Sequence, residues 1–433
     1  MTNSLRVLTW NIGYLADADH PASIPLQAAA ITYADPDIVF INEAMRLGPD
    51  DRDNQILELS ALTPLKHVEF AVATDVGIFG INGQKLIGVL SRFPLSNANS
   101  LASFCDGVLS ESGCNRTLEV TAMIDDRLYF LYSTRWSHAY EGNNIKIAAQ
   151  LRDRILALQS NYREACFIVG GDLNQNPMSL LHAPPVTYTG QYVDLVRSTG
   201  MTDSYLRDLA VLPVGVDDGM PNDYILYRAP ALARGSRSGP TEGPGGGSGT
   251  DHSYEVTTLE PFDAQFISQT IPAEATVGQP VTFEFRFKNT SAFTWEPFQR
   301  ISLVLQDSFG WNRVTTVLVS NVAPQDEVSF TFETTPTRIG QLTVQVRLVQ
   351  QGVWRFGEAS SPVKVAVIPA ATEPAQCNDL RTRIAALDAQ ILELSDSLTG
   401  NPRQDARIEV IIARLTRDRA KAVTDGQGIG CRL

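Results

Sequence analysis

A short apolar run followed by a glycine pair and two polar side chains limits what this chain can fold into. Ala165-Cys166-Phe167-Ile168-Val169 leads directly into Gly170-Gly171-Asp172-Leu173-Asn174, with no polar residue between them. Such a run predicts a buried strand, with Asp172 and Asn174 at its carboxyl end. Ligand sites of layered α/β proteins form at that edge. The alternative is a simple turn, because Asp, Asn and Gly all favour turns.

The composition is typical of a globular protein with a sizeable core, at 43% hydrophobic and 19% charged residues, and the 433 residues suggest about three domains. No stretch approaches the roughly 18 apolar residues of a membrane span, so we expect no transmembrane segment. Met1 to Arg6 lead into a predicted strand without a signal-peptide segment, so we expect either a cytoplasmic chain or one that has lost a leader. The net charge of −13 produces no overall electrostatic field that would attract polyanions. Nucleic-acid binding would therefore need local arginines and metal ions.

The five cysteines fall into three groups. Cys166 lies in the apolar run and is expected to be an inert buried thiol. Cys105 and Cys114 flank a turn-rich segment and could close a small surface loop. Cys377 and Cys431 bracket the C-terminal segment, and two helices folding back on each other would bring them together. Two disulfides favour an oxidising, extracytoplasmic or secreted location, while free thiols in a cytosolic protein remain the alternative.

Polar side chains lie near the ends of other predicted strands as well. Asn11 ends an alternating run, Glu43 follows a buried run, Asp223 opens a later strand, and Asp251 and His252 precede another. Between them, residues 233–249 are rich in Gly, Ser and Pro. We interpret this segment as a mobile loop inside the first domain, because the strand beyond it returns to the same sheet. Together with the helical segments, these strands predict a mixed sheet covered by helices.

A series of short motifs runs along residues 5 to about 259: Thr9-Trp10-Asn11, Ile41-Asn42-Glu43-Ala44, Ser91-Arg92-Phe93-Pro94, Arg116, Gln150, Gly171-Asp172-Leu173-Asn174, Asn222-Asp223-Tyr224 and Asp251-His252. Their order and spacing resemble the endonuclease/exonuclease/phosphatase superfamily. The resemblance implies an α/β fold, a four-layer α/β sandwich of the DNase I-like type, in which two mostly antiparallel sheets pack face to face. It places the site at one edge of these sheets and implies hydrolysis of phosphate esters.

The resemblance assigns Glu43 as the principal metal ligand, with Asn11 and Asp251 completing or supporting the coordination sphere. Hard carboxylate and amide oxygens suit Mg²⁺, which keeps several waters and needs only one or two protein carboxylates. We therefore expect Mg²⁺ as the cofactor, with Mn²⁺ or Ca²⁺ as alternatives. No cysteine has zinc-site spacing with a histidine, so a structural zinc is not expected.

By the same resemblance, Asp172 would orient or deprotonate the attacking water, and Asn174 would hydrogen-bond the phosphate or that water. Asp223 would hold His252 through one ring nitrogen and leave the other nitrogen for the phosphate. The imidazole can then act as an acid or as a phosphate clamp. Residue types leave open whether Asp172 or His252 is the base.

One position departs from the family pattern. Where the family usually carries His, or Tyr in some branches, the chain has Arg135, and His138 lies three residues further on. Arg135 could bind a phosphate oxygen in a bidentate manner if it points into the site. The alternative is a structural arginine paired with a carboxylate. We expect the functional role because strand geometry places Arg135 on the site-facing side and His138 on the opposite side.

The chain changes character after the first domain, which we assign to residues 1–260. Residues 261–370 alternate in short strands, and the tryptophan-containing stretch 262–369 resembles an immunoglobulin-like domain, which implies a β-sandwich that binds a partner or acts as a spacer. We expect its tryptophans in the core. Residues 371–433 carry a heptad seam up to Gly400 and then a second helix, which predicts an antiparallel helical hairpin. The seam could alternatively drive dimerisation or docking.

The expected activity is metal-dependent hydrolysis of phosphate esters by a phosphodiesterase that acts as a nuclease on DNA or RNA. The alternatives are a sphingomyelinase-like phospholipid phosphodiesterase and an inositol-phosphate phosphatase. An alternative of another class is a non-catalytic binding protein on this fold. It is disfavoured because the carboxylates, Asn11, Asn174 and His252 are all present. The immunoglobulin-like domain could bind a protein or surface partner.

Overall fold

The structure is a computed structural model, in which strands and helices occur throughout the described residues. It describes residues 4–13, 24–47, 53–78, 81–101, 104–105, 114–136, 141–174, 190–204, 223–238, 252–306, 311, 315–351, 353–370, 376–398, 402–428 and 431. No helix in this part of the chain is long and apolar enough to cross a membrane.

The first part of the chain combines thirteen strands with four helices in its described residues. The strands are β1 (Leu5–Asn11), β2 (Ile38–Leu47), β3 (His67–Ile78), β4 (Ile81–Ser91), β5 (Leu95–Ser100), β6 (Phe104–Cys105), β7 (Cys114–Ile124), β8 (Arg127–Arg135), β9 (Cys166–Asp172), β10 (Thr202–Asp203), β11 (Asp223–Arg228), β12 (Ala231–Ser238) and β13 (Glu255–Pro261). The helices are α1 (Ile24–Ala34), α2 (Gln55–Leu62), α3 (Glu141–Asn161) and α4 (Gly190–Thr199).

These strands form two mixed sheets. One has the order β12-β13-β1-β2-β4-β3 and the other the order β10-β11-β9-β8-β7-β5, with β6 pairing to β7. Strands β1 and β2 are parallel, as are β8 and β9, and the remaining pairs in both sheets are antiparallel. The first part is therefore an α/β sandwich of mixed sheets.

Three apolar clusters hold the layers together. The central cluster joins the inner faces of the two sheets through residues such as Val7, Phe40 and Ile168. A second cluster packs α1 and α2 on the outer face of the first sheet, and a third packs α3 and α4 on the outer face of the second. The result is four layers, helix, sheet, sheet and helix, in agreement with the sequence prediction.

The glycine pair at the end of β9 is required by close packing. A Cβ atom on Gly170 would lie 2.1 Å from Cδ2 of Phe40, which belongs to the opposite sheet. A Cβ atom on Gly171 would lie 1.8 Å from the carbonyl oxygen of Thr134 on β8, and the φ of Gly171 is +157°. These distances are shorter than any van der Waals contact, so both positions exclude side chains. The pair lets β9 approach its neighbours and brings Asp172 to the end of the sheet.

One sequence interpretation is wrong in part. Residues 233–249 were expected to form a mobile loop, but β12 extends through Ser238 and pairs with β13. Backbone pairing with β13 holds residues 231–238 in a strand in spite of the glycine and serine content. Residues 239–249 lie outside the described residues.

The second part of the chain is built from short strands around one aromatic core. The strands are β14 (Ala264–Thr270), β15 (Glu274–Thr276), β16 (Val281–Asn289), β17 (Ile301–Leu305), β18 (Thr315–Val317), β19 (Glu327–Thr334), β20 (Gly340–Val344), β21 (Val346–Gln350), β22 (Trp354–Phe356) and β23 (Val363–Ile368). They pair as β14-β16-β19, β15-β23-β20 and β18-β17-β21-β22. A short 3-10 helix spans Pro297–Gln299.

The tryptophans of this part are buried, as the sequence predicted. Trp295 and Trp311 join the cluster that also contains Phe283, Phe285 and Phe287. Trp354 is only 1% exposed. The assignment of these small sheets to an immunoglobulin-like β-sandwich stays a prediction, as do the domain boundaries at 260 and 370.

Two helices end the described chain, α5 (Gln376–Asp396) and α6 (Pro402–Gly428). They pack against each other, and the seam residues of α5 are half-buried, among them Leu380, Ile384 and Leu387. A disulfide joins Cys377 to Cys431 with a Cα–Cα distance of 5.4 Å, as the sequence predicted. Cys105 and Cys114 are backbone partners across β6 and β7, and Cys166 is a free buried thiol.

We expect the disulfide to stabilise the helical pair, because most of its side chains are exposed and its own core is small. The bridge spans a sequence separation of 54 residues. In the chain-entropy model it contributes about 4 kcal/mol to the free energy of unfolding. A Cys377→Ser/Cys431→Ser variant should therefore show much faster amide hydrogen exchange in α5 and α6 than the wild type. Addition of a reductant to the variant serves as the control and should change nothing further in these helices, and unchanged protection in the variant would contradict the prediction.

Candidate active site

The register of the second sheet brings three polar side chains side by side. Asp172 at the end of β9 is paired with Arg135 on β8 and with Asp223 on β11. All three are at most 5% exposed. Because neighbouring strands lie about 4.8 Å apart, strand pairing alone places these residues at one edge of the sheet.

The first sheet contributes two more side chains at the same edge. Asn11 ends β1 and is paired with Asn42 on β2, directly before Glu43. The register of β2 against β4 shifts between Ile41 and Ala44, which is a β-bulge, and Glu43 lies in it with a φ of 57°. This left-handed conformation is rare for a residue with a side chain and is found where a function or the surroundings require it. The bulge changes the direction of the Glu43 side chain from the one that the regular alternation of the strand would give it.

Glu43 is held between two buried cations. Its Oε2 atom lies 3.2 Å from Nζ of Lys85, and its Oε1 atom accepts from the guanidinium of Arg135 at 2.5 Å. Burial alone would raise the pKa of Glu43, but the charges of Arg135 and Lys85 outweigh burial and lower it to about 2. Glu43 is therefore an anion near neutral pH.

Asp172 has the opposite electrostatic environment. Its Oδ2 atom accepts from Nδ2 of Asn11 at 3.0 Å, its Oδ1 atom accepts from the backbone N–H of Asn174 at 3.0 Å, and its own N–H donates to Oδ1 of Asn42 at 2.7 Å. Burial and the negative charge of Asp223 raise the pKa of Asp172 to about 7, against the smaller opposing effects of His252 and Arg135. A carboxyl group with this pKa can bind and release a proton near neutral pH.

His252 and Asp223 form a hydrogen-bonded pair. Nδ1 of His252 lies 2.9 Å from Oδ2 of Asp223, and the indole N–H of Trp10 donates to the backbone carbonyl of His252 at 3.0 Å. Nε2 of His252 lies 3.5 Å from Nδ2 of Asn11. Burial raises the pKa of Asp223, although the bond to His252 works against it. If Nδ1 carries the proton toward Asp223, Nε2 is the basic ring nitrogen, and it lies on the side of Asn11.

Asn174 lies beside this network in a left-handed conformation, with a φ of 46°. Asn tolerates this region better than most residues. Its Nδ2 atom donates to the backbone carbonyl of Trp136 at 2.7 Å. The side-chain amide of Asn174 is thus oriented by Trp136, which directly follows β8. The backbone N–H of Asn174 donates to Asp172.

The structure therefore brings together most of the residues that the sequence singled out. Asn11, Glu43, Asp172, Asp223 and His252 lie in one connected set of hydrogen bonds and charges, and Arg135 and Asn174 adjoin it. Asp251 and His138 lie outside the described residues. Arg135 forms the ion pair with a carboxylate that was the alternative interpretation of this residue, and no phosphate contact is needed to explain its position.

Sequence reasoning missed Lys85 and Asn42. Lys85 heads the apolar run of β4 and is only 3% exposed, and Asn42 has no exposed surface. A lysine at the start of an apolar run was a visible signal, because an unpaired lysine is almost never fully buried. Asn42 stands next to Glu43, but nothing in the sequence indicates that its side chain would bind the backbone of β9 across the two sheets.

The chemistry of these residues suits a divalent cation. Glu43 is an ionised oxygen donor, and a carboxylate offers about four lone-pair positions, of which the N–H contacts from Arg135 and Lys85 take three. Burial and the neighbouring charge of Asp223 raise the pKa of Asp172, and a cation bound beside it would favour its ionised form. Within the described residues, no three His, Cys, Asp or Glu side chains are grouped as a metal site, so Glu43 would be joined by Asn11, water or residues outside that part.

Comparison with known proteins identifies a family. The model of the Endonuclease/Exonuclease/phosphatase family matches residues 8–252. No curated protein matches the chain in sequence. Among solved structures, an endonuclease/exonuclease/phosphatase from Beutenbergia cavernae DSM 12333 is similar at 16% identity and a TM-score of 0.45, covering 84% of this chain and 99% of that chain.

Two further solved structures cover 59% of this chain each. A family protein from Leptotrichia buccalis C-1013-b has 15% identity and a TM-score of 0.43 over 99% of that chain. The human Nocturnin catalytic domain, determined with a bound sulfate anion, has 18% identity and a TM-score of 0.42 over 93% of that chain.

The raised pKa of Asp172 predicts a pH-dependent stability. Above the ordinary aspartate pKa of about 4 the unfolded chain loses this proton, whereas the folded protein keeps it up to about pH 7. The folded state binds the extra proton in this window, so the wild-type free energy of unfolding falls as the pH rises. Asp172→Asn holds no such proton and should gain stability relative to wild type by up to about 1.4 kcal/mol per pH unit across the window.

The measurement is urea unfolding of both proteins in EDTA over this pH range. EDTA keeps metal binding from contributing to the difference. A difference between the two proteins that stays constant with pH would show that Asp172 titrates normally.

Proposed function

The chain belongs to the endonuclease/exonuclease/phosphatase family, and on that premise we propose that it is a metal-dependent phosphodiesterase that cleaves nucleic acid. Members of this family are phosphoesterases and generally use divalent metal ions. The observation that carries the proposal is the buried network Asp223, His252, Asn11 and Asp172 beside the ionised Glu43. It combines a proton acceptor near neutrality, an oriented imidazole and an anionic metal ligand, which are the groups that phosphate ester hydrolysis needs.

The charge of the site favours a diester over a monoester. Glu43, Asp172 and Asp223 are buried carboxyl groups, and the described cations next to them, Lys85 and Arg135, are both paired with Glu43. A phosphate monoester carries nearly two negative charges near neutral pH, whereas a diester carries one. A diester is therefore repelled less in a site of this charge. Nucleic acid is the diester that we place first.

We assign the metal to Glu43, with Asn11 and Asp251 completing or supporting its coordination. Mg²⁺ is the first choice, because oxygen donors with a single strong carboxylate suit an ion that keeps most of its waters. When bound, the metal would neutralise charge on the non-bridging oxygens of the phosphate. The low pKa of Glu43 keeps this ligand deprotonated without help from the metal.

Asp172 is assigned as the group that takes the proton of the attacking water. Its raised pKa makes it a stronger base than an ordinary carboxylate, and Asn11 and the N–H of Asn174 hold both of its oxygens in place. Asp223 orients His252, whose Nε2 can donate a hydrogen bond to a phosphate oxygen when the ring is protonated. Asn174 would hydrogen-bond the phosphate or the water with the part of its amide that faces the site.

Arg135 and Lys85 are assigned as positioning residues. Both act on Glu43, one from the second sheet and one from the first, and fix its charge and its orientation. This differs from the direct phosphate contact that the sequence suggested for Arg135. The three charges offset one another in a buried place, where an unpaired charge would be costly.

We expect metal binding to be measurable without turnover. Mn²⁺ or Mg²⁺ should raise the melting temperature of the EDTA-treated protein, because a ligand that binds only the folded state stabilises it. Glu43→Gln should abolish this shift, while Glu58→Gln, a change of an exposed carboxylate on α2, should leave it intact. Activity should vanish in EDTA and return with Mg²⁺. Full activity in EDTA, or an unchanged metal shift in Glu43→Gln, would refute the assignment.

The activity is tested on a panel of plasmid DNA, RNA, sphingomyelin and inositol phosphates with Mg²⁺. We expect cleavage of nucleic acid, and we expect Asp172→Asn and His252→Ala each to lower kcat by at least about a hundredfold, the scale of lost acid–base catalysis. Asp153→Asn, which changes an exposed carboxylate on α3, is the matched control for Asp172→Asn.

The outcomes of the panel separate the alternatives. Preferential cleavage of sphingomyelin or of inositol phosphates would replace the nuclease assignment with a lipid diesterase or a phosphatase. Turnover of no phosphate ester would favour a non-catalytic binding protein. Near-normal kcat in either variant would remove that residue from the mechanism.

A further inference from the structure

A cavity of about 860 Å³ lies between the first part of the chain and the small sheets of the second part. Its walls come from the end of α3 and from β11 on one side, and from β17, β18 and β21 on the other. Four arginines line it, and we call it the arginine cleft: Arg163, Arg228, Arg347 and Arg355. Its size is in the range of pockets that hold small organic ligands.

The arginine cleft lies at the far end of the sheet from the candidate active site. Arg228 ends β11, the strand that Asp223 opens. Five residues of strand at about 3.3 Å each put the two about 17 Å apart. The cleft is therefore a separate place in the molecule, and ligand binding there does not depend on the proposed phosphodiesterase activity.

The charges of the cleft are poorly neutralised. Glu164 is the one carboxylate among its described lining residues, and its Oε1 lies 3.9 Å from Nε of Arg355, at the outer limit of an ion pair. Arg347 donates Nε and Nη2 to the carbonyl of Gly357 at 3.1 and 2.9 Å, and a carbonyl carries no charge. Arg127 adds a further cation at the rim by donating to the carbonyl of Arg355 at 2.7 Å.

Arg228 is the most buried of these arginines. Its guanidinium carbon lies 4.5 Å from the centre of the Trp354 ring, a cation–π contact, and its Nη1 is buried with no hydrogen-bond partner in the described part of the chain. Burial lowers the pKa of Arg228, and burial with the charges of Arg127 and Arg355 lowers that of Arg347. A buried guanidinium that packs on a ring and leaves a donor unused is costly unless an anion binds it.

A smaller cavity of about 220 Å³ adjoins the cleft and shares Arg228 with it. It is lined by Gln299, Gln350 and Trp354, which are 3%, 6% and 1% exposed. Nε2 of Gln299, Oε1 of Gln350 and Nε1 of Trp354 are buried and lack a hydrogen-bond partner among the described residues. Buried polar groups are normally satisfied, so these two donors and one acceptor call for a water molecule or a polar ligand group in the smaller cavity.

We propose that the arginine cleft and the smaller cavity together form a binding site for a phosphorylated small molecule of nucleotide size. The phosphate groups occupy the cleft, where planar guanidinium groups bind phosphate oxygens in pairs. The uncharged part of the ligand, with both donors and acceptors as in a nucleobase or a sugar, meets Gln299, Gln350 and Trp354. Four arginines against one carboxylate call for a ligand with two or more negative charges.

The test is isothermal titration of the full chain in EDTA with ADP, pyrophosphate, adenosine and citrate. We expect ADP to bind more tightly than pyrophosphate and adenosine not to bind, because charge supplies most of the affinity. The dissociation constant of ADP should rise with salt. Citrate tests whether any small polyanion suffices. Citrate binding as tight as ADP binding, or no heat with ADP or pyrophosphate at millimolar concentrations, would overturn the proposal.

Variants at several positions locate the site. They also keep the proposal falsifiable if Arg228→Gln fails to fold. Arg228→Gln and the exposed Arg355→Gln should each raise the dissociation constant of ADP by at least about tenfold, the loss of one charge-assisted hydrogen bond. Gln350→Leu should weaken ADP but not pyrophosphate. Arg286→Gln, an arginine of β16 paired with Glu327, is the matched control and should change nothing. Unchanged affinity in folded Arg355→Gln, or a loss in Asp172→Asn, would place the binding elsewhere.

Discussion

The site depends on one buried carboxylate that joins the two sheets. Glu43 belongs to β2 in the first sheet, and its partners are Lys85 in the same sheet and Arg135 in the second. Loss of Glu43 would leave the charges of Lys85 and Arg135 buried without compensation, which typically costs about 3–5 kcal/mol. The bulge at Glu43 makes the contact by placing the residue in a left-handed conformation that the regular strand does not use. Backbone strain, ion pairing and the meeting of the sheets are thus parts of one arrangement.

Two buried carboxyl groups in this site have pKa values that are shifted in opposite directions. Cations surround Glu43 and lower its pKa to about 2, whereas Asp172 faces the charge of Asp223 and has a pKa of about 7. Separation of pKa values within one pocket is how enzymes assign different tasks to identical groups. Glu43 and Asp172 both carry a carboxyl group. Only the neighbours that strand register places beside each group distinguish their pKa values. The proposed division into an ionised metal ligand and a proton acceptor rests on this difference.

Much of the candidate site could be predicted from the sequence, because the ends of strands can be predicted from it. The run before Gly170 predicted a buried strand, and the position of Asp172 at its carboxyl edge followed from that alone. Lys85 was not recognised because a lysine usually indicates a solvated position, and only the three-dimensional structure shows the carboxylate that it faces. The role expected for Arg135 depended on whether a carboxylate or the substrate lies opposite its side chain. The pattern of residues along a strand does not contain this information. The loop expected at residues 233–249 rested on composition, and strand pairing with β13 overrode it in residues 233–238.

The alignment of Arg135, Asp172 and Asp223 across three adjacent strands has a consequence for how the protein can change in evolution. Each strand is bonded to its neighbour residue by residue, so a single insertion or deletion within β9 would move Asp172 out of line with both partners. The same slip would turn every side chain of β9 to the opposite face. It would also move the glycine pair away from Phe40 and Thr134, where a side chain does not fit. The segment can therefore vary in residue type at some positions, while its length is fixed, and changes in length must be confined to the loops.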